Sequence, residues 1–162
     1  MTPSSPLVDV HTHVVPKGLP FGHDERFAAF VERDDVADVF VGGALFRTVP
    51  REAWDVEARV ASLDEGGIAM QAISVMPELF SYWAEPDVGR RFCGQLNEAV
   101  AEMAAAAPDR LVGMGVVPLQ DVDLAIAMVD EVRQLGLAGI EIGSNVLGTV
   151  TGAVRFLPFF QA

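Results

Sequence analysis

Short apolar runs alternate with amphipathic segments over most of the chain, and this alternation predicts strands and helices in turn. The predicted strands cover residues 7–13, 68–75, 111–117 and 138–142, and the predicted helices cover 52–65, 87–107 and 121–135. A glycine or a proline follows each of these helices, as is typical of helix ends. Because most of the strands are nearly continuous apolar runs, we expect a parallel sheet that is covered by helices.

Residues 14–49 depart from this alternation and are predicted to form an insertion over one end of the fold. Within it, residues 24–34 carry apolar side chains at helical spacing, which predicts a short helix. Residues 36–49 carry two apolar runs on either side of Gly42 and Gly43. Two such runs around a glycine pair predict a β-hairpin.

The first predicted strand ends in residues that can bind a metal ion. Asp9, His11 and His13 occupy alternate positions, so a regular strand would place them on one face. Imidazole nitrogens bind zinc and similar divalent ions, and two histidines at i and i+2 can chelate one ion. The other interpretation is two ordinary polar residues near the N-terminus. The chain has three histidines in all, and we expect the third, His23, to be a surface residue.

Composition and charge narrow the class of protein. A chain of 162 residues with 51% hydrophobic residues is long enough for one domain with a real core. The formal charge of −12 argues against nucleic acid and against an anionic membrane surface as partners. The chain shows no signal peptide and no membrane-spanning run, and its one cysteine, Cys93, excludes an internal disulfide. We therefore expect a cytoplasmic protein.

The motifs of the chain resemble those of one known family. No glycine-rich phosphate loop follows the first strand, whereas ligand-type residues do, and this favours a barrel with its site at the strand C-termini. In their order, the motifs resemble the amidohydrolase superfamily and, within it, the branch of the aminocarboxymuconate-semialdehyde decarboxylases. These motifs are Asp9 to His13, Leu45-Phe46-Arg47, Trp54-Asp55, Arg59, Ser74 to Pro77, Phe80 to Ala84, Arg110 to Gly113, Pro118-Leu119-Gln120 and Gly139 to Gly143.

The resemblance implies an α/β fold of the TIM-type (β/α)8 barrel. Such a barrel takes ~250 residues, and the pattern here supplies about four βα units. We therefore interpret residues 1–162 as the N-terminal half of a barrel domain with a small helix and β-hairpin insertion after strand 1, its C-terminal half missing. A truncated gene, an incomplete gene model or an engineered cut would each produce such a chain. Further metal ligands and the catalytic residues are then expected in the missing half.

The resemblance also implies one divalent metal ion, zinc, bound by His11 and His13. Asp9 is better interpreted as support for these ligands, or as a residue of the barrel floor, than as a ligand itself. Glu141 is interpreted as a polar residue of the barrel interior. No lysine stands in residues 138–145, and this favours a site with one metal over a site with two.

For substrate binding, the resemblance points first to Arg47. A guanidinium holds a carboxylate through two parallel hydrogen bonds, although a surface arginine paired with an acidic group is the other interpretation. Phe80 and Trp83, with Tyr82 between them, follow the second strand of the predicted sheet. They are expected either to wall the pocket or to pack against the insertion.

The function implied is that of a metal-dependent carboxy-lyase acting on 2-amino-3-carboxymuconate 6-semialdehyde, in the breakdown of tryptophan or nitroaromatic compounds. Another decarboxylase or hydrolase of aromatic or dicarboxylic acids is the alternative within the same fold. The alternative of a different class is a catalytically incomplete, partner-dependent or unstable fragment. The expected partner is a small carboxylate substrate, and a full-length relative is expected to be a homodimer.

Overall fold

Nine strands and five helices make up the fold that the computed structural model describes, which comprises residues 6–18 and 26–162. The strands are β1 (Leu7–Val14), β2 (Ala29–Arg33), β3 (Val36–Val41), β4 (Ala44–Pro50), β5 (Ile68–Val75), β6 (Leu111–Gly115), β7 (Gly139–Ile140), β8 (Asn145–Val146) and β9 (Thr149–Val150). The helices are α1 (Val56–Gly66), α2 (Pro86–Ala106), α3 (Val122–Ala127), α4 (Val129–Gln134) and α5 (Leu157–Gln161). None of these helices has the length and apolar composition that crossing a membrane requires.

A parallel sheet in the order β1-β5-β6-β7 forms the centre of the fold. Each pair of neighbours in this sheet is parallel, and at least one helix lies in the connection between them. Sequential parallel strands joined by helices form the repeating unit of a (β/α)8 barrel. The predicted α/β class with a parallel sheet is therefore confirmed. The carboxyl ends of all four strands lie at the same edge of the sheet.

The pairing of β1 with β5 contains an irregularity that matters for the site. Asp9 pairs with Gln71 and Thr12 pairs with Ile73, so β1 takes three steps where β5 takes two. An extra residue of this kind is a β-bulge, which re-aims the side chains around it. The strict alternation that the sequence predicts for β1 is therefore interrupted inside the histidine motif.

The segment between β1 and α1 contains an antiparallel sheet in the order β2-β3-β4. The predicted hairpin is confirmed, with Gly42 and Gly43 at φ values of 61° and 75° in its two-residue turn. The helix predicted for residues 24–34 is wrong where the structure describes it, because Ala29–Arg33 is a strand paired with β3. Three apolar residues are too few to distinguish the helical period of 3.6 from the strand period of 2. The conformation of Ala29–Arg33 was therefore decided by its pairing with β3. Residues 24 and 25 lie outside the described residues.

The predicted helix ends lie within one residue of the observed ones, but α1 begins at Val56, four residues after its predicted start. Asp55 and Asp121 cap α1 and α3 by accepting hydrogen bonds from the backbone N–H groups of Ala58 and Leu124, at 2.9 and 3.0 Å. The helix predicted for residues 121–135 is two helices, because the backbone at Met128 has a ψ of −10° and separates α3 from α4.

The core lies between the parallel sheet and its helices. Its largest fully buried side chains include Ile73 from β5 and Phe92 and Leu96 from α2. Asn97 is buried beside them. Its side-chain amide forms the hydrogen bonds that a neighbouring strand would otherwise form with the backbone of Val116, the residue that follows β6. The Asn97 amide nitrogen donates to the Val116 carbonyl at 2.9 Å, and its oxygen accepts from the Val116 N–H at 2.7 Å.

We predict that Asn97→Ala destabilises the protein strongly. The substitution leaves one buried N–H and one buried carbonyl of Val116 unpaired, and we expect the free energy of unfolding to fall by about 2–4 kcal/mol. Urea denaturation followed by circular dichroism measures this change. The neighbouring exposed residue supplies the control, since Glu98→Ala should change the free energy of unfolding by less than about 0.5 kcal/mol. Equal losses in the two variants would contradict the assignment.

Candidate metal centre

Two imidazoles and one carboxylate meet at the carboxyl edge of the parallel sheet. One ligand atom from each of His11, His13 and Glu141 can be chosen so that the three atoms lie within 4.8 Å of one another. The two imidazole rings are nearly perpendicular, with their centroids 4.8 Å apart. His13 and Glu141 are half-buried, while His11 is exposed. The two histidines that the sequence predicts as metal ligands are therefore brought together, and a carboxylate joins them.

The curvature of the sheet makes this cluster possible. The histidines are on β1, and Glu141 directly follows β7, where its N–H donates to the Gly115 carbonyl of β6 at 2.8 Å. Two strands separate β1 from β7. In a flat sheet, with a strand spacing of ~4.8 Å, three spacings would place them ~14 Å apart. The sheet must therefore curl, with these side chains on its concave face.

Two neighbouring cavities open at the cluster. Each of the four parallel strands contributes to the first cavity, of about 320 Å³, including His11, Ser74, Met114 and Ile140. The second cavity, of about 400 Å³, is also lined by His11 and Glu141, and adds Phe80, Tyr82 and Ser144 from the loops that follow β5 and β7. Two members of the donor cluster, His11 and Glu141, thus border both of these open spaces.

Ser74 orients the ring of His13. Its hydroxyl donates to the Thr12 carbonyl at 3.1 Å and lies 3.4 Å from Nδ1 of His13. When the hydroxyl proton lies on the Thr12 carbonyl, the Ser74 oxygen can accept a hydrogen bond from Nδ1–H of His13. In that tautomer Nε2 keeps its lone pair for a metal ion.

Asp9 lies outside the cluster of ligand atoms, which corrects the expectation that it shares a face with the imidazoles. One carboxylate oxygen accepts from the His11 N–H at 3.2 Å, and the other accepts from Nε2 of Gln71 at 3.1 Å. The bulge between Asp9 and Thr12 interrupts the alternation on which that expectation rested. The supporting position preferred for Asp9 in the sequence analysis agrees with these contacts.

Phe80 and Tyr82 line the second cavity with their rings 5.6 Å apart. The Tyr82 hydroxyl accepts a hydrogen bond from the Gly143 N–H at 3.1 Å, which ties the loop after β5 to the loop after β7. A Cβ at Gly143 would lie only 3.3 Å from the Tyr82 ring, so glycine allows this close approach. Burial raises the pKa of Tyr82 to about 12, so the phenol keeps its proton above pH ~10, where an exposed tyrosine ionises.

Trp83 lies elsewhere, against the segment between β1 and α1. Its ring packs on Phe27 with centroids 4.7 Å apart, and the guanidinium of Arg26 lies 4.9 Å from its centroid. Neither of the two cavities is lined by Trp83. This placement corresponds to packing against the insertion, one of the two options that the sequence left open.

Arg47 lies on the exposed strand β4, with its guanidinium 4.8 Å from the centroid of the Phe46 ring. It does not line either of the two cavities. Its contact with a substrate carboxylate therefore stays a prediction.

Glu141 is the site residue that the sequence analysis did not assign to the metal. Its position on the interior face at the end of a strand could be predicted from alternation. Its proximity to His11 and His13 could not, because it depends on how far the sheet curls. The available signal was an acidic residue that faces the barrel interior at the carboxyl end of a strand, which is where metal ligands lie in such barrels.

Comparison with known proteins identifies relatives over nearly the whole chain. Residues 8–162 match the family described as Amidohydrolase. The 2-amino-3-carboxymuconate-6-semialdehyde decarboxylase of Dictyostelium discoideum is 30% identical over 160 residues, which cover 95% of this chain and 45% of that protein. This chain spans about half the length of the curated relatives that it matches.

Two solved structures extend the comparison. A 5-carboxyvanillate decarboxylase from Novosphingobium aromaticivorans, crystallised with bound manganese, is 28% identical with a TM-score of 0.62, over 68% of this chain and 32% of that one. The apo form of Metarhizium anisopliae IDCase has a TM-score of 0.78 at 15% identity, over 97% of this chain and 47% of that one, and shows the fold alone. The predicted fold is confirmed as part of a TIM-type barrel.

We predict that the one tyrosine of the chain titrates abnormally. Absorbance at 295 nm should show Tyr82 ionising near pH 12 in the folded protein, and near pH ~10 after unfolding in urea. Because the folded state holds this proton more tightly, the associated stability is complete below pH ~10 and is lost as the pH rises toward 12. Ionisation near pH ~10 in protein that circular dichroism shows to be folded would contradict the buried position of the phenol.

Proposed function

Because this chain belongs to the amidohydrolase family, we propose that His11, His13 and Glu141 bind one divalent metal ion in a decarboxylase of small unsaturated or aromatic carboxylic acids. The cluster of these three side chains, of which His11 and Glu141 line both cavities, is the observation that carries the proposal. The relatives described above are decarboxylases, which supports the type of reaction.

The donor set suits a catalytic metal site. Two histidines and one glutamate form a known set of zinc ligands that leaves a coordination position open for water or substrate. The three ligand atoms lie within 4.8 Å of one another. Two ligand atoms of a tetrahedral ion at ~2.1 Å lie ~3.4 Å apart. Ligand atoms up to 4.8 Å apart must therefore approach by about 1.4 Å, which rotation of the side chains can supply.

Zinc is the ion that the family resemblance implies. The mixed imidazole and carboxylate set also accepts manganese, and the manganese bound in the 5-carboxyvanillate decarboxylase supports a divalent ion of either kind. When bound, such an ion polarises a substrate oxygen or lowers the pKa of a coordinated water.

The residues of the chain have separate parts in this proposal. Ser74 keeps Nε2 of His13 available. Phe80 and Tyr82 wall the cavity beside the metal ligands and exclude water from part of the substrate. Arg47 is our proposed partner of a substrate carboxylate, by analogy with its position in the family motif. In the reaction, the bond to the carboxyl carbon breaks, CO₂ leaves, and a proton takes its place on the substrate.

For the substrate itself we propose 2-amino-3-carboxymuconate 6-semialdehyde. The sequence identity to the decarboxylase of that compound supports this choice. Another aromatic carboxylic acid is the alternative within the same chemistry, because the 5-carboxyvanillate decarboxylase shares the fold and 28% of the aligned residues.

A second candidate is a chain that needs a partner to complete its site. Among the described residues, the outer edge of β1 has no strand partner. Leu7, Val8 and Val10 on this strand are exposed, Val10 by 77%. Unpaired strand edges with apolar side chains favour association with another chain. Sedimentation velocity, with and without metal, distinguishes a monomer from such an assembly.

We predict that His13→Ala and Glu141→Gln each weaken metal binding by about tenfold or more, because each substitution removes one of three ligands. Calorimetric titration with Zn²⁺ and with Mn²⁺ measures the dissociation constants. Glu98→Gln, on the exposed face of α2, makes the same chemical change away from the site and should bind metal like the unmodified chain. Unchanged binding by Glu141→Gln would limit the site to the two histidines.

The candidate that needs a partner predicts no turnover of the semialdehyde by the 162-residue chain with zinc, because the chain spans about half the length of the decarboxylases it matches. The decay of the substrate chromophore measures the rate. Clear turnover at one metal ion per chain would overturn the candidate that needs a partner.

A further inference from the structure

We propose that Arg59, acting with Gln71 and Asp9, is a positioning residue that holds the His11-Thr12-His13 segment in its metal-binding conformation. This inference rests on the proposed metal site and assigns a role to three side chains outside the ligand cluster.

Arg59 reaches the motif from helix α1. Its side chain is buried, with only 6% of the residue exposed. One terminal nitrogen, Nη2, donates to the His13 carbonyl at 3.0 Å. The other, Nη1, lies 3.4 Å from the Thr12 hydroxyl and 2.5 Å from Oε1 of Gln71. Nε donates to the Glu52 carbonyl at 2.8 Å, so all three nitrogens of the guanidinium are engaged.

Gln71 and Asp9 extend the hydrogen bonds of Arg59 to the backbone of His11. Gln71 accepts from Arg59 and donates to the Asp9 carboxylate at 3.1 Å. The second oxygen of that carboxylate accepts from the N–H of His11 at 3.2 Å. Each residue of the motif is therefore bonded: His11 through its N–H, Thr12 through its hydroxyl and His13 through its carbonyl.

The guanidinium of Arg59 is a buried charge, and its burial costs free energy that other contacts must offset. Within the described residues, Arg59 forms no ion pair, and Asp9 is reached only through the neutral Gln71 amide. A buried guanidinium without a carboxylate partner is expensive unless its donors are satisfied. Two of the four contacts of Arg59 are made directly with the segment that carries the histidines, and a third reaches that segment through Gln71 and Asp9. The β1 bulge also lies in this segment, and an irregular backbone needs external bonds to hold one conformation.

A purely structural role, the attachment of α1 to β1, would explain the same bonds. The chain offers a matched control for it. Arg110 donates from Nε and Nη2 to the carbonyls of Ala69 and Ile68, both at 2.9 Å, and from Nη1 to Asp64 at 2.7 Å. It fastens the backbone of the parallel sheet in the same way, but at the amino end of β5 and away from the histidines.

The experiment compares Arg59→Met, Arg59→Lys and Arg110→Met with the unmodified chain, at a temperature where circular dichroism shows each protein folded. The first readout is the NMR shifts of the His11 and His13 imidazoles in metal-free protein. The second is the dissociation constant for Zn²⁺. We expect Arg59→Met to move both imidazole signals and to weaken zinc binding about 10- to 100-fold. Arg59→Lys should recover part of the affinity, and Arg110→Met should change neither readout.

The outcomes separate this role from the proposed metal site. If the unmodified chain binds no zinc, the proposed metal site is refuted. The imidazole shifts in metal-free protein would still test whether Arg59 positions the histidines. Unchanged imidazole signals in Arg59→Met, or equal losses in Arg110→Met, would overturn the positioning role. Should Arg59→Met fail to fold, Gln71→Met breaks the link between Arg59 and Asp9, and the same shifts in the His11 signals are then expected.

Discussion

The curl of the parallel sheet is the constraint on which the rest of the structure depends. It brings Glu141, just after β7, against His11 and His13 on β1, although two strands lie between them. Helices on the outer face leave the concave face free for polar side chains and for the two cavities. Donors from separate strands can thus approach one another, while each remains fixed by backbone hydrogen bonds.

Buried and half-buried polar side chains then fix the backbone where the ladder of hydrogen bonds is irregular or ends. Asn97 supplies both partners for Val116 after β6. Arg59 binds the carbonyl of His13 beside the β1 bulge, and Tyr82 holds Gly143 after β7. In each case a side chain replaces a strand neighbour that the local geometry does not provide, since an unpaired buried backbone group is costly. These bonds set the positions from which the candidate ligands project.

Much of the fold could be predicted from the sequence, because the relevant signals are local. An apolar run placed β5 at Ile68–Val75, and the start predicted at Asp121 agrees with its position as the cap of α3. The glycine pair placed the turn of the hairpin after β3. The spacing of the histidines identified His11 and His13, since two ligands on one strand need no knowledge of the rest of the chain.

The sequence by itself therefore determined the strands of the parallel sheet, their order along the chain and one pair of candidate ligands. Only the tertiary structure decided that Ala29–Arg33 is a strand, because pairing with β3 outweighed an ambiguous periodicity. It alone placed Glu141 at the histidines and Trp83 against Phe27, because both contacts join residues that are distant along the chain. It also showed that Asp9 lies outside the ligand cluster, because β1 has a bulge after Asp9. A bulge depends on the register with the neighbouring strand, and the alternation within one strand does not specify that register.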